Sequence, residues 1–459
     1  MKLVKEICVG LLLLPVTTLW SQVDTTPTAP VPAVTGATPA SSSDQMMTPP
    51  PVSGQSYPTA PASAERSNYL RGGVAFTSAY TDNALGSVNG HPVSDVSYSV
   101  APTIALDETT SRLHLVSTYA PGFTFYQRES NLNEADQNAA IDLQYRLSPH
   151  VTFSARDGFQ KSSSVFNQPD LSATLAVSGA AQEPNFSIIP PIADRLSNSG
   201  NAGISYQFAA NGMVGASGTF SNLHYPNQAE VPGLFDSSSQ GGSAFYSLRI
   251  SKMHYVGVTY QYQRLLSYPT QGQNETQTQS ILLFYTLYAS SRFTLSVYGG
   301  PQYANVGPQF TANASTPAPG FKSWNPQAGG SLSWQGRLTN VGFSYAHVIS
   351  SGGGLIGAVK MDSANASVRQ QMSRNLSGSI AAGYAQNNVV GSALLGTTNG
   401  HTISGTASLQ RLVGQRVTVQ AGYTRLRQDY SGVAVLAATP NTNREFVSIL
   451  YRFSRPLGR

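Results

Sequence analysis

From about residue 68 onward the chain is written in short stretches where apolar and polar residues alternate. "VTVQAGYT" is representative: Val417, Val419, Ala421 and Tyr423 share one face, and Thr418, Gln420, Gly422 and Thr424 share the other. A period of two is the period of a β-strand, whose successive side chains point to opposite sides. Eighteen such segments can be traced, at approximately 69–80, 94–106, 111–125, 137–147, 150–160, 199–209, 212–223, 241–251, 253–265, 276–289, 291–303, 325–335, 338–350, 357–371, 375–386, 400–411, 415–429 and 442–454. Segment 357–371 alternates poorly, and sixteen strands is the alternative count. Most are near the length that a tilted strand needs to cross a bilayer, about 9–11 residues.

The connections keep a two-beat rhythm. After every even-numbered segment the link is tight: "DETTS", "SPH", "ANG", "SKM", "SSR", "QGR", "SRN" and "VGQ". After odd-numbered segments the links are mostly longer, and the third runs from Lys161 to Ser197. Short turns on one side and long loops on the other are the pattern of a transmembrane up-and-down barrel, and they place both ends of the strand region on the turn side. Propellers and sandwiches do not sustain such a rhythm.

The two faces predict what lies against each. The apolar face carries Ile141, Leu143 and Tyr145, then Ile204, Tyr206 and Phe208, then Val341, Phe343 and Tyr345. The opposite face carries Asp142, Gln144 and Arg146, Ser205 and Gln207, and Gly342, Ser344 and Ala346. Small polar residues cannot fill a soluble core, so lipid is expected outside and water inside. Tyr119, Phe220, Tyr260, Tyr345, Tyr384 and Tyr423 recur toward the loop side, and Tyr145, Phe208, Trp334 and Phe453 near the turns. These are two aromatic belts at the expected headgroup levels.

Composition agrees. Only 11% of the 459 residues are charged, against about a quarter in soluble domains. Mean hydropathy is nevertheless −0.15, because Ser, Thr, Asn and Gln supply the polarity. The net charge of +5 and the lack of a basic cluster argue against nucleic acid as a partner. Lys2 and Lys5 followed by "ICVGLLLLPV" and a small residue at Ser21 predict a signal peptide over 1–21, cleaved near Ser21/Gln22. Cys8, the only cysteine, precedes the leucine run and so does not suit lipoprotein acylation. Residues 22–67, rich in Pro, Thr, Ala and Ser, read as an extended linker, and 68–459 as the barrel. No stretch is long and apolar enough for a membrane helix.

The final segment, "REFVSILYRFSRPLGR", resembles the C-terminal assembly signal of Gram-negative outer-membrane β-barrels, with Val447, Ile449, Tyr451 and Phe453 alternating up to an aromatic. The family usually ends there, whereas this chain continues with "SRPLGR". The resemblance implies an outer-membrane location, recognition by the barrel-assembly machinery, and contact with outer-membrane lipid. Within that class the chain looks like a porin, and more loosely like the β-barrel porins found beside exopolysaccharide export systems. A porin-like chain would pass small hydrophilic solutes passively, narrowed by a third external loop folded into the lumen. Here that loop, 161–197, holds Asp170, Glu183, Asp194 and the apolar piece Phe186–Ala193. Strand parity turns Arg71, Arg146, Arg156 and Arg249 inward with Asp142, so arginines facing carboxylates would line the constriction.

The alternative is a component of polysaccharide export or a surface receptor, tethered by the linker, with Tyr298 as a sugar-stacking candidate. The seven histidines show no metal-ligand spacing, and "GASGT" at Gly215–Thr219 lacks the setting of a nucleophile elbow. No catalytic residue, metal or cofactor is therefore expected, and the sequence leaves the oligomeric state open.

Overall fold

The computed structural model describes residues 67–85, 92–163, 193–270, 272–290, 292–310, 317–355, 357–390, 399–431 and 441–456. The expected signal peptide, almost all of the linker, Asp170, Glu183 and residues 186–192 lie outside these. The described chain forms β1 (Ser67–Thr81), β2 (Asp95–Thr109), β3 (Leu113–Tyr126), β4 (Glu134–Arg146), β5 (Val151–Ser162), β6 (Arg195–Ala209), β7 (Gly212–His224), β8 (Asp236–Arg249) and β9 (His254–Tyr268). It continues with β10 (Asn274–Ser290), β11 (Phe293–Val306), β12 (Phe321–Gln335), β13 (Thr339–Ser351), β14 (Ala358–Gln371), β15 (Leu376–Val389), β16 (Asn399–Val413), β17 (Val417–Tyr430) and β18 (Asn441–Pro456).

Each strand pairs antiparallel with its sequence neighbours, and β1 also pairs with β18, from Tyr69↔Pro456 to Thr81↔Arg444. The 18-stranded sheet is thus a closed barrel. Closure satisfies edge hydrogen bonds that lipid could not. At about 4.8 Å between strands and a tilt near 40°, eighteen strands give a wall-to-wall diameter of about 35 Å. Inward side chains cannot fill such a width.

All eighteen expected segments are strands, including β14, which the alternation marked as doubtful. The strands run from 12 residues in β5 to 17 in β10, longer than a bilayer requires, and many extend the expected spans at the loop end. Burial follows parity. Phe76, Tyr98, Ile104, Ile141, Ile204, Leu283, Ile380 and Ile449 are exposed on the outer face, as are the residues of both aromatic belts. Thr77, Ser97, Thr118, Asn138, Ser205, Thr259 and Thr418 face inward. The outer apolar surface has only lipid to cover it.

Glycines make room for aromatics on the neighbouring strand. Gly215 stands directly opposite Phe245, Gly257 opposite Phe284 and Gly329 opposite Tyr298. A Cβ at Gly257 would lie 2.3 Å from the Phe284 ring and 2.3 Å from the Tyr246 carbonyl oxygen. On the inner wall of β7–β10 this arrangement seats a cluster of Met213, Phe245, Tyr255 and Phe284, against which Tyr288 and Tyr298 pack. The lumen is therefore apolar along one wall. Elsewhere on the inner face, Asn365 and Ser367 of β14 stay exposed to the interior.

The tight turns carry a charge bias. Arg112, Lys252, Arg292, Arg337, Arg374 and Arg416 are exposed, one in each of six turns; Asp107 and Glu108 belong to β2, and no residue between the observed strand ends on this side is an acid. Exposed Ile250, Met253, Leu338, Met372 and Val413 sit beside them.

Candidate functional site: the loop-end constriction

The wall is not uniform at its loop end. β12 and β13 pair only from Gln335↔Asn340 to Ala328↔His347. Above His347, β13 leaves β12 but stays paired with β14 up to Ser351↔Ala358. The β13–β14 tip folds into the barrel. Alternation along Val341, Phe343 and Tyr345 would place Ile349 on the lipid side, yet Ile349 is 1% exposed. It packs inside with Leu265, Ala304, Val306, Ala358 and Val390. Its amide donates to the Gln302 side-chain carbonyl at 3.4 Å.

The tip, Gly352–Gly357, is held by polar contacts with neighbouring loops. The Tyr225 hydroxyl donates to the Gly353 carbonyl at 3.3 Å. The Phe235 amide donates to the Gly354 carbonyl at 2.7 Å, and the Gly357 amide to the Ser267 hydroxyl at 3.0 Å. Gly354 has φ +105°, and a Cβ there would lie 2.8 Å from the Tyr225 hydroxyl, so glycine is required for both conformation and space. Burial raises the pKa of Tyr225 to about 12, with the Arg195 guanidinium opposing that shift and the Asp236 carboxylate adding to it. The phenol thus remains a donor at ordinary pH.

Apolar packing closes the site. Leu355 and Val359 join Ala193, Leu223, Val231, Leu234, Tyr225 and Tyr430 in one buried cluster, with Val389 against it. Leu223 lies on β7, and Val389 and Tyr430 lie on β15 and β17. In a ring of eighteen, β7 and β16 are nine strands apart and face each other across the lumen. The cluster therefore spans the lumen from one wall to the other. Asn387 donates to the Tyr430 hydroxyl at 2.6 Å, tying β15 to β17 beneath it.

The residues singled out from sequence occupy several levels. Arg71 on β1 forms an ion pair with Asp107 on β2 at 2.7 Å, and Arg156 on β5 with Asp142 on β4 at 3.0 Å. Each pair joins adjacent strands. Arg146 closes β4 beside a turn, and Arg249 donates to the Ala210 carbonyl at 2.8 Å in another. Asp194 stands where the third loop re-enters the wall, accepting from the Ser163 hydroxyl at 2.5 Å and lying 3.1 Å from the Lys161 ammonium. Partial burial opposes its ionisation, but these two partners outweigh that and hold its pKa below the usual carboxylate range. Ala193 brings the end of the third loop into the buried cluster. Val447, Ile449, Tyr451 and Phe453 line the outer face of β18.

Parity adds Arg369 and Arg452 to the inward set. Among the described residues, six arginines face the lumen in its turn-side half, at 71, 146, 156, 249, 369 and 452, against the carboxylates of Asp107 and Asp142. The lower lumen is a positive environment.

The tip was not singled out from sequence. Its signal is "VISSGGGLIGAV" at Val348–Val359: three consecutive glycines between apolar residues, uncharged, where a loop facing water would be polar.

A closed 18-stranded antiparallel barrel, apolar outside and polar across most of its interior, is a transmembrane β-barrel of the outer-membrane porin type. Among solved structures it is similar to the outer-membrane protein OpdK of Pseudomonas aeruginosa, at 10% identity and a TM-score of 0.40, covering 84% of this chain and 99% of that one. OccK2 (OpdF) of the same organism, solved in complex with glucuronate, is 11% identical over 84% of this chain and 98% of its own, with a TM-score of 0.41. OccAB4 of Acinetobacter baumannii is 9% identical over 85% and 98%, with a TM-score of 0.40. No family model matches the sequence, and no curated protein matches it.

Proposed function

We propose that the chain is an outer-membrane channel for passive diffusion of small hydrophilic solutes, and that the β13–β14 tip is its principal barrier. The observation that carries this reading is the buried cluster joining β7 to β15 and β17 across a lumen lined for the most part by polar residues. Eighteen strands enclose more space than their side chains occupy, so the tip, with the end of the third loop at Ala193, determines what passes. The long loops face the exterior and the basic turns the periplasm. The pairs Arg71–Asp107 and Arg156–Asp142, together with Arg146 and Arg249, line the approach from the periplasmic side. Their positive excess favours small anions over cations.

Planar-bilayer recording tests the proposal. Purified, heat-modifiable protein should give stepwise currents, and a chain lacking Gly352–Gly357 should give larger ones. Absence of current from both would remove the channel reading.

A further inference from the structure

The inward fold of the tip leaves two strand edges without a pairing strand. Along Phe321–Gln327, β12 is paired to β11 only. Along Val348–Ser351, β13 is paired to β14 only. Among the described residues no strand pairs with either edge, although the Ile349 amide on the β13 edge donates to the Gln302 side chain of β11. The two edges belong to the same ladder. Continuing its register beyond Ala328↔His347 would set Gln327 opposite Val348, Pro326 opposite Ile349, Asn325 opposite Ser350 and Trp324 opposite Ser351.

The faces match as well. Trp324 and Pro326 lie on the outer face of β12, and Trp324 is 71% exposed. Joined to this edge, Ile349 would extend the outward row of Val341, Phe343 and Tyr345, as its alternation in the sequence dictates. Ser350 would face inward beside Asn325. The sequence of β13 thus suits a straight wall strand, although its end is tucked inside.

Proline marks where the ladder parts. Pro326 stands directly opposite Pro301, and the β11–β12 ladder runs unbroken through both. Their nitrogens therefore point away from each other, that of Pro301 toward β10 and that of Pro326 toward the free edge. The β10–β11 pairing lapses beside Pro301, between Ser280↔Gln302 and Leu283↔Gly299, with the register unchanged on either side. A proline is tolerated at an edge because it has no N–H to offer the next strand. At Pro326 it weakens the join to β13 without forbidding it.

We propose that the free edge of β12, Phe321–Gln327, is a docking surface for Val348–Ser351 of the same chain, and that docking draws the tip out of the lumen and opens the pore. In the closed state Tyr225, Phe235 and Ser267 hold the tip inside. In the open state the paired β13–β14 ends swing outward together and the β12–β13 ladder zips to its full length. The left-handed glycines at 353, 354 and 357 provide the bend. This inference rests on the tip being the barrier, and it names how that barrier moves.

Disulfide trapping tests it. The nitrogen of Pro326 points at the β13 edge, so Gln327 and Val348 would form a non-hydrogen-bonded pair, whose Cα atoms approach to about 4.5 Å, within disulfide range. Gln327→Cys with Val348→Cys is introduced into a Cys8→Ser chain. Ser331→Cys with Ser344→Cys, already opposite each other in the ladder, is the folding and oxidation control. The expected result is an intramolecular disulfide in both, seen as a mobility shift on non-reducing gels. Only the 327–348 bond should raise conductance several-fold, and dithiothreitol should reverse the rise. The proposal is overturned if the control oxidises and the 327–348 pair does not, if the bond forms in a conducting chain without changing its conductance, or if it links two chains, which would assign the edge to a second copy. The gel needs no current. A 327–348 bond in a chain that never conducts therefore supports the docking and refutes the channel reading instead.

Discussion

Replacing Leu355 by alanine should convert a mostly closed channel into one that opens readily. Leu355 is 1% exposed, enclosed by the cluster that bridges the lumen. Truncating a leucine so buried costs roughly 2–5 kcal/mol, and the lower part of that range, about 2–3 kcal/mol, fits a loop tip whose neighbours can relax. Leu355 packs within the cluster that holds the tip, so the loss falls on the closed state. Each 1.4 kcal/mol is tenfold in an equilibrium constant, so the ratio of open to closed channels should rise by roughly 30- to 150-fold. Open probability in planar bilayers measures this directly, and the swelling rate of proteoliposomes in a small sugar measures it in bulk. Ile380→Ala, on the lipid face of β15, is the control and should leave both unchanged. If Leu355→Ala protein shows wild-type heat-modifiable migration while its open probability stays within about twofold of wild type, the tip is not the barrier and the reasoning fails.

Four further outcomes can be measured. Tyr225→Phe removes the hydrogen bond to Gly353, worth about 0.5–1.5 kcal/mol, and should raise open probability roughly 2- to 10-fold. Because the pKa of Tyr225 rises on folding from its ordinary 10.0 to about 12, its contribution to the closed state is complete below pH 10 and fades as the pH climbs toward 12; conductance should be flat below pH 10 and rise above it, and Tyr225→Phe should flatten that rise. Asp142→Asn leaves the Arg156 guanidinium, with only 12% of its side chain exposed, without its carboxylate, and should lower the temperature of the heat-modifiability transition by destabilising the barrel about 1–3 kcal/mol. Under a salt gradient the wild-type reversal potential should indicate anion preference, and Arg146→Glu with Arg249→Glu should move it toward cations; a cation-selective wild type would refute the electrostatic reading of the lower lumen.

The barrel was legible because a transmembrane strand has only two environments. Outside it meets lipid and inside it meets water, so "VTVQAGYT" declares both faces of β17 with no knowledge of its neighbours. Turn and loop lengths then gave the topology, and all eighteen segments matched. Strand ends were less legible, since a bilayer's thickness limits the alternation but not the ladder; β10 continues to 17 residues because pairing goes on above the lipid. The constriction was hardest to see. The residues at the upper end of β14 pack inside the mouth, an apolar setting where period two loses its meaning, and this is why 357–371 alternated poorly. Ile349 carries the pattern of one environment and occupies another. Leu223, Leu355 and Tyr430 are distant in sequence, and only closure of the ring brings them together. The apolar wall built on Phe245 and Phe284 was hidden for a similar reason, because each aromatic is accommodated by a glycine on the adjacent strand.

The cationic turns have a consequence for how deep the barrel sits. Were it to slide outward along the membrane normal, Arg112, Lys252, Arg292, Arg337, Arg374 and Arg416 would all enter hydrocarbon together, each at a cost approaching about 2–4 kcal/mol at the midplane. Were it to slide inward, Ile250, Leu338 and Met372 would be pushed into water. The lower rim is a draught mark: it fixes the waterline of the barrel from below and leaves the loops above free to vary without changing where the pore floats.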